Sequence, residues 1–213
     1  MSLDLAGVTV RLRHGAALFP PLTLSVAAGE VVTVMGPSGI GKSMLLDALG
    51  GHLPRRFEMT GQVLLNGCDV TARPAEARRI GMLFQDAVLF PHLSVGDNLA
   101  FGLSQTVRGR AARLARIAAA LDQAGLAGME GRDPATLSGG QRARAALMRT
   151  LLADPLALLL DEPFSKLDAG LKEDMRRFTF AHIRDRGIPA LMVTHDPVDA
   201  QAAAGPVIEM TGP

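Results

Sequence analysis

The sequence has 213 residues, of which 48% are hydrophobic, so it is long and apolar enough to bury a sizeable core. Its 22 basic and 21 acidic side chains leave a formal net charge of +1, which argues against a nucleic-acid-binding protein and a polybasic membrane surface. Cys68 has no second cysteine to pair with, which favours a reducing compartment. We expect no signal peptide, and no apolar run reaches the roughly 20 residues of a bilayer span, so we expect any membrane role to come through a partner.

Strand and helix patterns alternate along the chain around a helical middle section. Short runs rich in β-branched or other apolar residues predict strands at residues 8–12, 22–26, 31–35, 63–65, 80–84, 156–160, 190–193 and 207–210. Helical periodicity predicts helices at residues 42–50, 171–186 and 197–203 and across most of residues 95–153, with a break near 125–134. This order is typical of an α/β core with a helical insert between about residues 90 and 150.

A glycine-rich turn between a predicted strand and a predicted helix fits a phosphate-binding loop. Residues 36–43 read GPSGIGKS and match the pattern G-x-x-x-x-G-K-[ST] in the context that this motif requires. Its glycines let backbone N–H groups turn towards phosphate oxygens, Lys42 can reach the β- and γ-phosphates, and the Ser43 hydroxyl can ligate Mg²⁺. The alternative is a glycine turn that binds nothing. The predicted nucleotide-binding residues are Gly36, Pro37, Ser38, Gly39, Gly41, Lys42, Ser43 and Met44.

Two adjacent carboxylates follow the apolar run LALLL at residues 156–160. Because ligands bind at the carboxyl ends of strands in parallel α/β sheets, Asp161 and Glu162 are placed to act on a nucleotide. We expect Asp161 to hold Mg²⁺ and Glu162 to be the general base for an attacking water. Pro163 follows the acidic pair; because proline is disfavoured inside a helix, it keeps the turn after the strand tight. The alternative is a surface turn that ends a strand.

Residues 137–141 read LSGGQ and open a predicted helix. Two glycines weaken a helix interior, but at a helix N-terminus they let a phosphate approach the free backbone N–H groups. Combined with the other motifs, the stretch resembles the signature of the ATP-binding cassette (ABC) family. In that family two subunits pack head to tail, and each signature closes over the ATP held by the other, so the resemblance implies a homodimer. The alternative is a serine N-cap followed by flexible glycines. The residues implied to contact this nucleotide are Ser138, Gly139, Gly140 and Gln141.

Three further positions match the family's motifs in the expected order. Gln85, in MLFQD, matches the glutamine for which the resemblance implies contacts with Mg²⁺ and the attacking water. His195, in MVTHD, matches the histidine that hydrogen-bonds the γ-phosphate, and Asp168, in FSKLD, matches the aspartate that couples the two sites of the dimer. The resemblance therefore implies an ATPase that uses ATP and Mg²⁺. Its implied catalytic residues are Lys42, Gln85, Glu162 and His195, and its implied metal ligands are Ser43, Gln85 and Asp161.

The matched motifs span nearly the whole chain, so the resemblance also implies the fold. We expect one ABC ATPase domain over residues 1–213, of the α/β class, with a P-loop NTPase core on a mixed or parallel sheet. It would carry an N-terminal antiparallel β subdomain and an inserted helical subdomain at about residues 90–150. Because the sequence ends soon after the last predicted strand, we expect no C-terminal regulatory domain.

The segment at residues 84–103, FQDAVLFPHLSVGDNLAFGL, resembles that of cassettes which import polyamines, iron, thiamine and similar solutes, and the chain looks most like YnjD-type bacterial cassettes. The resemblance implies a cytoplasmic ATPase subunit, peripheral on the inner face of the membrane, that binds integral membrane permease subunits. An extracytoplasmic solute-binding protein is a further implied partner. Leu89, Phe90 and Pro91 would form an exposed apolar groove for the permease. An exporter subunit and a soluble cassette that acts on ribosomes or DNA remain alternatives.

Four arginines, at positions 108, 110, 113 and 116, fall on one predicted helix. Such a run can contact nucleic acid or form the solvated face of a helix. Because the net charge of the chain is close to zero, we favour the solvated face and expect no nucleic-acid partner.

Two positions depart from the family pattern. The family usually stacks an aromatic side chain on adenine from a place that falls near Leu12, yet the chain has 0 Trp and 0 Tyr. Leu12, Arg13, His14 or Phe19 would have to cover the ring. Met44 stands where relatives commonly have a threonine that contacts the α-phosphate.

We therefore predict weaker or less base-selective nucleotide binding than in relatives that have the aromatic residue, because stacking contributes roughly 1–3 kcal/mol per base. Competition between ATP and GTP for the purified chain measures this selectivity. A wide preference for ATP over GTP would contradict the prediction.

Overall fold

The computed structural model describes residues 1–86 and 88–212. Its strands are β1 (Ser2–Leu12), β2 (Leu22–Ala27), β3 (Val31–Met35), β4 (Phe57–Leu65), β5 (Cys68–Asp69), β6 (Ile80–Leu83), β7 (Ala157–Asp161), β8 (Ala190–Thr194) and β9 (Val207–Glu209). Its helices are α1 (Lys42–Gly50), α2 (Ala75–Arg78), α3 (Val95–Gly102), α4 (Arg110–Gln123), α5 (Gly139–Leu151), α6 (Ala169–Arg186) and α7 (Pro197–Ala203), with a 3₁₀ turn at Pro134–Thr136. No helix within the described residues combines the length and the apolar character that crossing a membrane requires.

The strands form one antiparallel and one parallel sheet. The antiparallel sheet has the order β2-β1-β4-β5. The other has the order β6-β7-β8-β3-β9, in which β3 pairs in parallel with β8 and β9, and β7 with β8. This arrangement confirms the predicted α/β fold with an N-terminal antiparallel sheet. Strands β7 and β8 are buried on both faces, which explains why each is a continuous apolar run up to its last residue.

The antiparallel sheet shows where tertiary pairing overrides the local sequence. Strand β4 begins at Phe57, whereas the sequence predicts a strand only from residue 63. The first half of β4 carries polar residues and a glycine, and it is extended because it pairs with β1, for example Leu12 with Phe57. Gly61 is required there because its φ is +87° and a Cβ atom would lie 2.4 Å from the carbonyl oxygen of Gly7.

The register of the parallel sheet brings the carboxyl ends of three strands to one edge. Met35 at the end of β3 is paired with Thr194 at the end of β8. Asp161 at the end of β7 is paired with Val193, one residue earlier on β8. The segments that follow these strands therefore begin at one edge of the sheet, and they carry the phosphate-loop motif, the acidic pair and His195.

Helix α1 is anchored beneath this edge by its apolar side. Leu45, Leu46 and Leu49 have 0% exposure and belong to the same core as the strands of both sheets. Burying one such side chain stabilises the fold by roughly 1.5–3 kcal/mol. The N-terminus of α1 is thereby held where residues 36–41 turn from β3 into the helix.

The C-terminal end of α1 is closed by a buried arginine that the sequence analysis did not single out. Arg78 on α2 is 7% exposed and donates to the carbonyl oxygens of Ala48 (2.7 Å) and Leu49 (2.8 Å) in the last turn of α1. It also donates to the carbonyl oxygens of Thr71 (2.7 Å) and Arg73 (2.8 Å). A cation is favourable there because the helix macrodipole is negative at its C-terminus.

The chain forms two compact units. The first unit contains Met1–Met82, Leu156–Glu162 and the segment from Phe180 onwards, and it holds the antiparallel sheet, most of the parallel sheet and α1. The second unit contains Leu83–Pro155 and Pro163–Thr179, with α3, α4, α5 and the first part of α6. The predicted helical section at residues 95–153 thus divides into three helices, and the predicted break near 125–134 lies between α4 and α5.

A buried asparagine organises the loop before α3 in the second unit. Asn98 has 0% exposure; its side chain accepts from the backbone N–H of Phe90 (2.8 Å) and donates to the carbonyl oxygens of Leu93 (3.2 Å) and Ser94 (3.0 Å). Arg149 on α5 donates to the Asn98 side chain at 3.3 Å and lies over the Phe90 ring at 4.9 Å. These contacts hold the backbone of residues 90–94, directly before α3, in place.

Candidate active site

The turn at residues 36–41 in the first unit has the geometry of an anion cradle. Gly41, with φ +106°, precedes α1, and a Cβ atom there would lie 3.1 Å from the Phe19 ring, so only glycine fits. Gly39, with φ +82°, faces open space, since a Cβ atom there would meet nothing within 4 Å. No side chain caps the N-terminus of α1, and its first turn contains no acidic residue. Its backbone N–H groups therefore remain available to an anion.

A buried cation lies beside this turn. Lys42 is 6% exposed, and its ammonium group donates to the carbonyl oxygens of Gly36 (2.7 Å) and Pro37 (3.0 Å). The turn borders a cavity of about 220 Å³, which is lined by Ser38, Gly39, Gly41, Lys42, Ser43, Met44 and Glu162. A positive charge, free N–H groups and an open cavity meet in one place, which is the arrangement that binds phosphate groups.

Ser43 and Asp161 form a pair of hard oxygen ligands at the edge of this cavity. The Ser43 hydroxyl donates to the Asp161 carboxylate at 3.1 Å. Burial raises the pKa of Asp161, and the hydrogen bond from Ser43 opposes this shift only in part. A nearby cation would relieve the cost of this partly buried carboxylate.

The donor set fits Mg²⁺. Among the described residues no group of three or more His, Cys, Asp or Glu side chains is placed to hold a metal ion. Ser43 and Asp161 would therefore supply only part of a coordination shell, and phosphate oxygens and water would complete it. Mg²⁺ is commonly bound in this way, through one or two carboxylates together with the phosphates of a substrate.

Glu162 is held in an unusual backbone conformation next to His195. Its φ is +42°, a left-handed value that is unfavourable for a residue other than glycine and especially before a proline such as Pro163. Its backbone N–H donates to the carbonyl oxygen of Val193 at 3.0 Å, and one carboxylate oxygen lies 3.0 Å from His195 Nδ1. Strain of this kind persists where the surrounding structure enforces it, and it is frequent at functional sites.

The LSGGQ stretch forms the capped N-terminus of α5 in the second unit. The Ser138 hydroxyl accepts from the backbone N–H of Gln141 (3.2 Å), and the Gln141 side chain accepts from the backbone N–H of Ser138 (2.9 Å). This capping box orients both side chains. Because the Ser138 oxygen acts as an acceptor, its O–H remains available to donate to a ligand.

The two glycines of this stretch have different reasons to be glycine. A Cβ atom on Gly140 would lie 3.0 Å from the Leu171 side chain on α6, so helix packing requires a small residue there. A Cβ atom on Gly139 would meet nothing closer than Leu167 at 4.0 Å, so packing leaves room for a larger residue. Packing therefore does not account for the glycine at position 139.

The structure places the predicted residues in two groups. Lys42, Ser43, Asp161, Glu162 and His195 lie together in the first unit around the 220 Å³ cavity and the edge of the parallel sheet. Gln85, Ser138, Gly139, Gly140, Gln141 and Asp168 belong to the second unit. His195, which the family resemblance assigns to the γ-phosphate, forms a hydrogen bond with Glu162.

Two expectations about apolar side chains are wrong in part. Phe19 has 0% exposure, so it cannot cover an adenine ring, whereas Leu12 is 44% exposed at the end of β1. Leu89 is buried, whereas Pro91 is exposed, and Phe84, Val88 and Phe101 are further exposed apolar side chains. The sequence alone gives no signal for which side of this loop faces the core.

A sequence profile of the family described as "ABC transporter" matches residues 19–165, more than half of the chain. The chain belongs to the ABC transporter family. The uncharacterized ABC transporter ATP-binding protein YnjD of Escherichia coli (strain K12) is 47% identical to this cassette, over 94% of the chain and 91% of its own length. The thiamine import ATP-binding protein ThiQ of Ruegeria sp. (strain TM1040) is 44% identical over 87% of the chain and 79% of its own length.

A solved structure agrees with this assignment. The dimeric post-hydrolysis state of the ATP-binding cassette MJ0796, bound to ADP and Pi, superimposes with a TM-score of 0.80 and 28% identity. The match covers 98% of this chain and 94% of MJ0796. This cassette is thus an ABC ATPase in family and in fold.

The raised pKa of Asp161 predicts how the stability of the apo chain changes with pH, once Mg²⁺ is removed by a chelator and nucleotide by dialysis. Because the folded-state pKa lies above the unfolded one, the native state is destabilised as pH rises from the unfolded value through the folded one. We expect Asp161→Asn to raise the melting temperature of the apo chain at pH 7 to 8. This gain should vanish at acid pH, where the wild-type carboxyl is protonated.

Asp69→Asn is the matched control for this prediction. Hydrogen bonds from Thr71 lower the pKa of Asp69, so its charge stabilises the fold above the unfolded pKa and its removal should lower the melting temperature at neutral pH. Differential scanning fluorimetry over a pH series distinguishes the two signs. An equal loss of stability in both variants would show that the burial of Asp161 has no such cost.

Proposed function

We propose that this cassette is the ATP-hydrolysing subunit of a bacterial solute importer, and that it works as a head-to-tail homodimer bound to a membrane permease. The observation that carries the proposal is the grouping of Lys42, Ser43, Asp161, Glu162 and His195 at one edge of the parallel sheet. This grouping contains a phosphate site, a metal site and a base.

The first unit holds the nucleotide and supplies the base. The N-terminus of α1 and Lys42 would bind the phosphates, and Ser43 and Asp161 would hold Mg²⁺. When bound, Mg²⁺ neutralises part of the charge on the β- and γ-phosphates. Glu162 takes a proton from water as the water oxygen bonds to the γ-phosphorus and the bond from phosphorus to the β–γ bridging oxygen breaks, which yields ADP and phosphate.

His195 orients this base. With Nδ1 donating to the Glu162 carboxylate, the imidazole holds the carboxylate in place and leaves Nε2 for the γ-phosphate. The family resemblance assigns to Gln85 contacts with Mg²⁺ and the attacking water. In this assignment Glu162 is the only group that accepts the proton of water.

The second unit acts on the nucleotide of the other subunit. The capping box of α5 presents the Ser138 hydroxyl and the backbone of Gly139 at a helix N-terminus, a geometry that favours an anion. The dimeric form of MJ0796 supports a homodimer. Asp168 couples the two sites in this dimer. Closure on ATP and reopening after hydrolysis would move the permease.

Import is favoured over export by the relatives of the chain, and its surface suits a protein partner. ThiQ is a thiamine import protein, and its match covers most of both chains. Phe84, Val88 and Phe101 are 52%, 59% and 69% exposed in the second unit, and exposed apolar side chains of this size suit a protein partner. The permease would hold the cassette at the inner face of the membrane, and a solute-binding protein would deliver the solute outside.

Removing the base tests the chemistry. Glu162→Gln keeps the shape of the side chain but cannot accept a proton, so kcat should fall by roughly 100- to 10,000-fold while ATP binding changes little. Glu173→Gln on the exposed face of α6 is the matched control and should hydrolyse ATP normally. Turnover is measured by phosphate release and binding by a fluorescent nucleotide. Undiminished hydrolysis in the Glu162 variant would remove Glu162 from the role of base.

Capture of the tagged chain from gently solubilised membranes of its source cell, followed by mass spectrometry, tests the transport role. We expect a polytopic membrane protein together with a secreted binding protein. Recovery of a membrane protein without a binding protein would favour an exporter. Recovery of ribosomes or DNA-repair proteins without a membrane partner would overturn the transport role and leave the ATPase chemistry intact.

A further inference from the structure

Two charged side chains in the second unit form an ion pair that the mechanism above does not use. Asp86 directly follows Gln85, and Lys166 lies two residues before Asp168. The Lys166 ammonium group donates to the Asp86 carboxylate, and the partners are 80 positions apart in sequence. The contact therefore connects the segment that carries Gln85 with the segment that leads to Asp168.

Among the described residues, the side chains of Arg149 and Lys166 hold the segment that carries Gln85. Residues 84–86 and 88 lie outside regular secondary structure and are exposed. Within the described part of the chain, the Gln85 side chain makes no hydrogen bond of its own. Arg149 holds the C-terminal end of the segment by donating to the carbonyl oxygen of Val88 at 2.8 Å. Lys166 holds it at Asp86, next to the glutamine.

The ion pair borders a cavity that three motif segments share. This cavity, of about 350 Å³, is lined by Gln85, Asp86, Val88, Gly139, Arg142, Ala143, Pro163, Lys166 and Leu167. The glutamine segment, the N-terminal turn of α5 and the segment before Asp168 therefore face one space. Because the space between these segments is not filled by packed side chains, packing does not fix the distance between them. A direct contact between two of the segments therefore has a large effect on that distance.

We propose that the Asp86–Lys166 ion pair is a positioning element, which sets the place of Gln85 by tying its segment to the one that precedes Asp168. Lys166 is suited to this role because its long side chain spans the edge of the cavity while its charge remains in water. The proposal rests on the proposed function, since it acts through the roles assigned there to Gln85 and Asp168.

The exposure of the pair determines what kind of effect to expect. The Lys166 and Asp86 side chains are 54% and 60% exposed, and an ion pair at such a site contributes little to the global stability of a protein. A small displacement of a group that orients reactants nevertheless slows a reaction. Breaking the pair should therefore lower turnover while the melting temperature stays almost unchanged, a combination that a purely structural contact does not produce.

A double-mutant cycle tests the coupling. Lys166→Gln and Asp86→Asn should each lower the kcat of the full-length chain by about threefold, and the double variant should be no slower than the slower single variant. The charge-reversed variant, with Asp86→Lys and Lys166→Asp, should regain most of the lost rate. Arg116→Gln is the matched control, because it breaks a similarly exposed ion pair (Arg116–Asp154, 3.3 Å, 51% and 38% exposed) that involves no predicted site residue.

Amide hydrogen exchange measures how well the segment is ordered and does not depend on ATP hydrolysis. Lys166→Gln should accelerate exchange at residues 84–86 and 88, and Arg116→Gln should not. Unchanged exchange in Lys166→Gln, or effects of the two single variants on kcat that multiply, would overturn the proposal. If the wild-type chain failed to hydrolyse ATP, the proposed function would fail, while exchange would still decide whether the ion pair orders the segment.

Discussion

The parallel pairing of β3, β7 and β8 is the constraint on which the site depends. The phosphate loop, the acidic pair and His195 are separated by more than a hundred residues of sequence, from Gly36 to Glu162 and beyond. They meet because the last residues of three strands are in register at one edge. A slip of one residue in β7 would turn Asp161 to the opposite face of the sheet and separate its carboxylate from Ser43. The heavily buried apolar strands make such a slip unfavourable, so the stability of the core also sets the geometry of the site.

The same edge contains two residues in unfavourable situations, one because of its burial and one because of its backbone conformation. Asp161 carries a carboxylate whose burial raises its pKa, and Glu162 adopts a left-handed backbone conformation in front of a proline. A residue in such a conformation costs of order 1–3 kcal/mol, and the surrounding sheet has to offset that cost. A protein selected for stability alone would remove both features. Their presence at the mouth of one cavity is consistent with groups that become favourable only when a cation and phosphates are present.

The sequence predicted most of this fold because its motifs lie where regular elements end. A strand, a glycine turn and a helix N-terminus define the phosphate loop locally, and the capping residues Ser138 and Gln141 mark the start of α5 in the same way. The first half of β4 was missed because it is extended by its pairing with β1, which no local pattern records. The orientation of Leu89 was missed for a similar reason, since burial beneath a loop depends on tertiary packing. The Asp86–Lys166 contact joins positions 80 residues apart, and although each residue lies beside a motif residue, no local pattern shows that the two meet.

The two ends of α1 are finished in different ways. Arg78 and the backbone N–H of Gly51 satisfy the carbonyl groups at its C-terminus, whereas its N-terminus has no side-chain cap. Groups of the chain itself therefore satisfy the carbonyl groups at the C-terminus of α1, whereas no side chain caps the N–H groups at its N-terminus. A phosphate bound as proposed would take the place of the missing cap, so the nucleotide would complete the helix as well as serve as the substrate. Each release of ADP and phosphate would then leave the N-terminus of α1 uncapped, and hydrolysis would change the rigidity of the unit that carries it out.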